Sequence, residues 1–164
     1  TTGLTQPAGA KFMEIGSPAF NFEIPDQHGH IHKLSDYAGK TNVLLSFHIY
    51  SFTKGCTNQM TGFRAAYPKF KELNTEILGI SCDAQPTQTA YSTSLGNLPY
   101  PVLSDFHPKG QISKEYEIYN EDRGASNRGI FIIDINGIIQ YIEIYSRAED
   151  INIDHLLLVL KKLS

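Results

Sequence analysis

Val43-Leu44-Leu45-Ser46-Phe47-His48-Ile49, running on into Tyr50-Ser51-Phe52-Thr53-Lys54-Gly55-Cys56, decides how the rest of the chain is read. The first seven residues are a near-continuous apolar run of strand length, the pattern of a strand covered on both faces. After Cys56, Met60, Phe63, Tyr67 and Phe70 recur at spacings of three and four, which gives a helix one apolar stripe. The residues between are therefore a strand-to-helix turn, with Thr53 as N-cap and Cys56 as the third helical residue. Gly62 weakens the helical pattern, and Pro68 predicts a kink or break.

Outward from this unit the pattern repeats. Glu76 to Cys82 reads as a second buried strand, followed by a helix over 86–95 and a short strand near Val102-Leu103. Gly129 to Asp134 is a third central strand. Asn136-Gly137 is a strong hairpin signal leading into 138–145. Asp150 is expected to cap a last helix that turns Ile153, Leu156, Leu157 and Leu160 inward. Towards the N-terminus, Phe20 to Ile24 alternates as a short strand and turns through Asp26 to His30. This order predicts an α/β fold, a central mixed β-sheet with helices on both faces. Residues 1–12, small and polar, read as a flexible leader, and 13–164 as a single domain.

Composition narrows the function classes. The 164 residues are 41% hydrophobic and 19% charged, which suits a globular domain. A net charge of -3 and the lack of any Lys/Arg run argue against a nucleic-acid partner. No apolar stretch approaches the roughly 18 residues of a membrane span, so the expectation is a soluble protein with no membrane partner. Residues 1–11 do not read as a signal peptide, and a reducing cytoplasm is the expected compartment. Two cysteines, Cys56 and Cys82, are too few for a disulfide scaffold and too far apart for a zinc site. His28, His30 and His32 alternate around the early turn and read as a solvated hairpin, and no metal or cofactor is expected. No phosphate-binding glycine motif follows a strand, and Gln59 rules out C-x-x-C.

Cys56 carries the candidate chemistry. A thiol of ordinary acidity is only about 3% ionised at pH 7, and making it mostly thiolate takes about 3.4 kcal/mol of differential stabilisation. A helix N-terminus supplies about 0.3–1 kcal/mol, or up to about 2 when partly buried, so a cation is also required. If strands 43–49 and 76–82 are parallel and 129–134 runs antiparallel to them, Arg128 begins on the edge where Cys56 stands. Arg is always charged and presents a fork of donors. The competing reading of Cys56 is an inert buried thiol, and that of Arg128 a surface ion pair. His48 reads as a packed core residue rather than a base.

Thr53-Lys54-Gly55-Cys56 resembles the T-x-x-C end of the peroxiredoxin motif P-x-x-x-T-x-x-C, and Asn127-Arg128-Gly129-Ile130-Phe131 resembles the family's active-site arginine strand. Weaker echoes are Gln27 to Gly29, Leu34 to Lys40, and Gly79-Ile80-Ser81. Ser104-Asp105-Phe106 together with Asn127-Arg128-Gly129 is similar to the one-cysteine, alkyl hydroperoxide reductase E type. The likeness runs from about Ile15 to the C-terminus. Three positions depart from it: Ile49 stands where the motif has Pro, Phe20 where the early A-P-x-F has Pro, and Gln59 where many relatives carry Glu. Ile49 is apolar and can still exclude water; Gln59 predicts a weaker polar network.

The resemblance implies a thioredoxin-like fold and a thiol-dependent peroxidase without cofactor. Cys56 would attack a hydroperoxide and become a sulfenic acid, with Thr53 and Arg128 positioning the peroxide. Backbone N–H groups near Gly55 and Cys56 would stabilise the developing charge. It also implies a homodimer and reduction by an external thiol or thioredoxin-type protein. Position 61 is Thr, so the same helix has no second cysteine. Cys82 reads chiefly as a small apolar residue closing its strand, with a resolving role as the alternative. The contrasting class is a non-catalytic thioredoxin-fold binding or redox-sensing module. A glutathione peroxidase is disfavoured by the absence of Trp.

Overall fold

The computed structural model describes residues 13–163, so the leader expected over 1–12 lies outside the described residues. In chain order, β1 (Glu23–Pro25) and β2 (Ile31–Lys33) form a hairpin and lead to β3 (Asn42–Phe47), α1 (Lys54–Glu72) and β4 (Thr75–Ser81). There follow α2 (Gln85–Ser94), β5 (Val102–Ser104), α3 (Gln111–Glu115), and the two-residue strands β6 (Tyr119–Asn120) and β7 (Ala125–Ser126). β8 (Arg128–Ile133), β9 (Ile139–Tyr145) and α4 (Ile153–Lys161) complete the chain.

The central sheet has the order β5-β4-β3-β8-β9. β3 pairs parallel to β4 and antiparallel to β8, with Leu45 opposite Leu78 on one side and Phe131 on the other. Every residue of β3 and β8 is buried, which is why both are written as mostly apolar runs. Alternation along the strands sends side chains to two separate cores. One face holds Phe47, Leu78, Ile80 and Phe131 under α3 and the hairpin. The other packs Leu44, Ile130 and Ile132 against α1 and α4 through Met60, Phe63 and Leu156. Burying side chains of this size contributes about 1.5–3 kcal/mol each.

Three local expectations need correction. The early strand begins at Glu23 rather than Phe20. Pro68 does not end α1, which continues to Glu72. Pro68 lacks the N–H that would donate to Arg64, but both residues are exposed and water can take that carbonyl, while Phe63 and Phe70 anchor the helix on either side. The last helix is capped by Asn152, not Asp150: Asn152 Oδ1 accepts from the His155 N–H at 3.1 Å.

Candidate active site

The turn between β3 and α1 is tied down residue by residue. The His48 N–H continues the β3–β4 ladder to the Ile80 carbonyl at 3.0 Å, and the His48 carbonyl accepts from Ser126 Oγ at 3.0 Å. The Ser51 N–H donates to Asp83 Oδ2 at 2.9 Å, and the Tyr50 hydroxyl donates to the Arg123 carbonyl. The chain reverses at Phe52, whose φ of 70° is rare for a side-chain-bearing residue, and the ring lies against Tyr91 with centroids 4.9 Å apart. Thr53 occupies the N-cap in extended conformation, but its hydroxyl donates to the Tyr50 carbonyl at 2.7 Å instead of capping the helix. The Thr57 N–H makes the first helical bond, to the Thr53 carbonyl at 2.9 Å. The N–H groups of Lys54, Gly55 and Cys56 are thus the donors a helix start leaves without helical partners.

Cys56 is the third residue of α1 and only 1% exposed. Its sulfur has two polar neighbours, Arg128 Nη2 at 3.5 Å and the Ile49 N–H at 3.3 Å. Arg128 reaches it through sheet register. Phe47, the last residue of β3, lies opposite Gly129, so Arg128 enters the sheet where β3 ends and α1 begins. Gly55 leaves the room. A Cβ at this position would stand 3.0 Å from Arg128 Nη2, so a side chain would displace the guanidinium.

Gln59 is the residue that sequence reasoning undervalued. It is buried one turn beyond Cys56, and its Oε1 accepts from Arg128 Nε at 3.0 Å. Its amide nitrogen donates to Ser46 Oγ at 2.8 Å and to the Phe47 carbonyl at 3.1 Å. The polar network is intact rather than weakened, because an amide both donates and accepts where a carboxylate only accepts. The one legible signal was a polar residue on the apolar stripe of the helix, next to Met60.

His48 is fully buried, and burial pushes its imidazole down to about 4, with Asp83 opposing and Arg128 adding to the shift. Ser51 Oγ donates to Gln88 Oε1 at 2.7 Å, so it accepts from His48 Nε2 at 3.0 Å; this assigns the tautomer and leaves Nδ1 without a partner. His48 is neutral and structural at ordinary pH. Cys82 stands apart. Its sulfur lies 3.7 Å from Ser113 Oγ, and burial pushes its thiol up. Its Ser113 contact puts it beside α3, which packs on the Leu78 and Ile80 face, whereas Cys56 belongs to α1, which packs on the other. Both cysteines are free thiols.

The histidine hairpin is only partly solvated. His32 is half-buried and bonds Asp26 Oδ2 at 2.7 Å and the Tyr37 hydroxyl at 2.9 Å, while Asp26 Oδ1 accepts from the His28 and His30 N–H groups. Among the described residues there is no cluster of three metal-ligating side chains. No helix there is long and apolar enough to cross a membrane. Outside Cys56, an open hollow of about 380 Å³ is lined by Ile49, Arg123, Asn127, Arg128, Ile144 and Tyr145.

A family model described as the AhpC/TSA family matches residues 15–142. Alkyl hydroperoxide reductase E of Mycobacterium tuberculosis (strain ATCC 25618 / H37Rv) is 35% identical over 137 residues, covering 84% of this chain and 89% of the relative. A chloroplastic 2-cysteine peroxiredoxin of Chattonella marina var. antiqua is 38% identical over 158 residues, covering 91% and 80%. Among solved structures, peroxidoxin BcpB from Mycobacterium tuberculosis superposes with a TM-score of 0.84 at 26% identity, covering 93% of this chain and 99% of that one. The reduced 2-Cys peroxiredoxin of Plasmodium vivax gives 0.79 at 28% identity, covering 90% and 94%. The fold is the α/β thioredoxin-like fold that these structures share.

Proposed function

The chain belongs to the AhpC/TSA family, and from that premise we propose that it is a thiol-dependent peroxidase whose reacting atom is Cys56 Sγ. The observation that carries the residue assignment is the 3.5 Å approach of Arg128 Nη2 to that sulfur at the start of α1. A cation and a helix N-terminus converge on one otherwise buried atom, which is how a thiol is held as an anion. The redox-sensing or binding module is not favoured, since the relatives are named as peroxiredoxins or hydroperoxide reductases.

In the first step the Cys56 thiolate attacks one oxygen of the hydroperoxide and the O–O bond breaks. The second oxygen leaves as alkoxide or hydroxide, takes a proton to give alcohol or water, and Cys56 is left as the sulfenic acid. Arg128 keeps two roles open through its fork, one nitrogen toward the sulfur and the remaining donors toward the peroxide oxygens. The Thr53 hydroxyl, its proton committed to the Tyr50 carbonyl, retains lone pairs to accept the hydroperoxide hydrogen. The Gly55 and Cys56 N–H groups favour the charge that develops on oxygen. In the second step an external thiol condenses with the sulfenic acid, releasing water, and a second thiol equivalent restores Cys56.

The reading extends to a one-cysteine cycle, a homodimer, an external thiol or thioredoxin-type reductant, and the cytoplasm as compartment. The separation of Cys82 from Cys56 across the sheet supports the first of these. The test is the oxidation rate with hydrogen peroxide and with an organic hydroperoxide at neutral pH. We expect oxidation many-fold faster than free cysteine, abolished by Cys56→Ser. A rate no better than free cysteine overturns the proposal.

A further inference from the structure

The Ile49 N–H donates to Cys56 Sγ at 3.3 Å. A proline at this position would have no N–H to give. The peptide that carries the donor is held from its other side, since the His48 carbonyl accepts from Ser126 Oγ at 3.0 Å. In a trans peptide the carbonyl and the following N–H point in opposite directions, so the Ser126 bond aims the Ile49 N–H at the sulfur. The His48 N–H is itself in the sheet ladder and Ser51 is bonded to Asp83, which leaves the segment little freedom to rotate.

We propose that the Ile49 main-chain N–H is a catalytic hydrogen-bond donor to the Cys56 sulfur, aimed by Ser126, and that it exchanges nucleophilicity for thiolate population. The proposal rests on the peroxidase reading of the same site. Hydrogen bonds to an ionised acceptor are about twice as strong as neutral ones, so this bond favours the thiolate over the thiol. It also draws charge from the attacking lone pair. The other polar group at the sulfur is Arg128 from β8, and Tyr91 from α2 is near enough for the Cys56 charge to bear on its phenol. The Tyr91 hydroxyl is itself hydrogen-bonded to Thr57 Oγ1 at 2.9 Å.

The two effects have opposite consequences at the two ends of the pH scale. If losing the donor makes the thiolate tenfold harder to form, a Brønsted coefficient of roughly 0.4–0.5 returns about threefold in intrinsic reactivity. Ile49→Pro should therefore react about threefold more slowly with hydrogen peroxide at acid pH and about threefold faster at alkaline pH, so that its pH–rate profile crosses the parent's. Ile49→Val keeps the N–H and should show no crossing. Ser126→Ala, which frees the peptide, should move the profile in the direction of Ile49→Pro by a smaller amount.

A second measurement uses the unaltered protein and does not depend on turnover. In a pH titration followed by nuclear magnetic resonance, the Ile49 amide proton should shift with the ionisation of Cys56, and that shift should vanish in Cys56→Ser. An Ile49 amide that stays flat while the Cys56 thiolate forms overturns the proposal and leaves the peroxidase reading standing. So does an Ile49→Pro profile, from a folded variant, that runs parallel to the parent's without crossing.

Discussion

Gln59 Oε1 accepts from Arg128 Nε at 3.0 Å, and this bond holds the guanidinium without neutralising it. A carboxylate in the same place would pair with the positive charge; the amide fixes its direction and leaves the charge to the Cys56 sulfur. Replacing Gln59 by Met keeps the volume and removes the anchor. We expect the rate of Cys56 oxidation to fall by up to about 10²-fold, the scale of a small misplacement of a reacting group. The Phe47 carbonyl and Ser46 hydroxyl lose their donor as well, which costs about 1–3 kcal/mol in chemical denaturation. Unchanged oxidation kinetics would show that Arg128 needs no help from Gln59.

Arg128→Lys separates charge from shape. The lysine keeps a cation near the sulfur but cannot bond Gln59 and Cys56 along two fixed directions. The expected result is a substantial loss of peroxide reactivity in Arg128→Lys and a larger one in Arg128→Met, approaching the 10²–10³-fold typical of deleting one oxyanion donor. Rapid-mixing measurements of sulfenic acid formation distinguish the two. Equal rates for Lys and Arg would mean that only the point charge matters.

Cys82→Ser tests the resolving alternative. With an external thiol supplied, turnover should match the parent, since the Cys82 sulfur faces Ser113 on the far side of the sheet. Mass analysis after one peroxide equivalent should find sulfenic acid at Cys56 and no 56–82 disulfide. Loss of turnover in this variant would sink the one-cysteine cycle.

The folded state keeps His48 neutral, and this makes stability depend on pH. Its ordinary value is 6.5 and burial lowers it to about 4, so between these values the unfolded chain binds a proton that the folded chain refuses. Stability should be full above about pH 6.5 and fall as the pH drops toward 4, by up to about 3 kcal/mol in all. Chemical denaturation across this range should show the slope, and His48→Gln should flatten it. A parent protein equally stable at both ends would contradict the assignment.

Asp26 is the opposite case. Burial alone would raise its carboxyl, but the His32 side chain and the His28 and His30 N–H groups outweigh burial and hold it below the usual range. The stability it contributes is present above the ordinary carboxylate range and is lost as acid protonates it, below the window set by His48. Asp26→Ala removes the acceptor of two turn N–H groups and the partner of His32, and should cost about 1–3 kcal/mol. Thermal unfolding of the variant checks this; no change in midpoint would mean the hairpin is indifferent to its turn.

The order of strands and helices was legible because β3, β4 and β8 are buried on both faces and are therefore apolar through most of their length. Arg128 was legible too, since sheet direction alone puts the first residue of β8 beside the start of α1. Pro68 misled, because an exposed proline removes a bond that water can replace. Asp150 and Asn152 are both good caps by composition, and only the backbone decides between them. The contributions of Gln59, Ser126 and the Ile49 N–H were hidden for a shared reason. Each depends on which way one amide or hydroxyl points within a buried turn, and residue type does not carry that information.

Cys82 stands against Ser113 of α3 while Cys56 sits in the first turn of α1, and this placement bears on where the oxidising equivalent goes. Reducing one O–O bond takes two electrons, and the Cys56 sulfur supplies both as it becomes the sulfenic acid; on the one-cysteine reading, only an external thiol returns them. Each cycle then waits on a collision with another molecule, and the sulfenic acid persists for as long as that encounter takes. Peroxide concentration then governs how quickly the protein is charged with an oxidising equivalent, while thiol concentration governs how quickly it is discharged. On that reading, the thiol that first reaches Cys56 supplies the electrons that close the cycle.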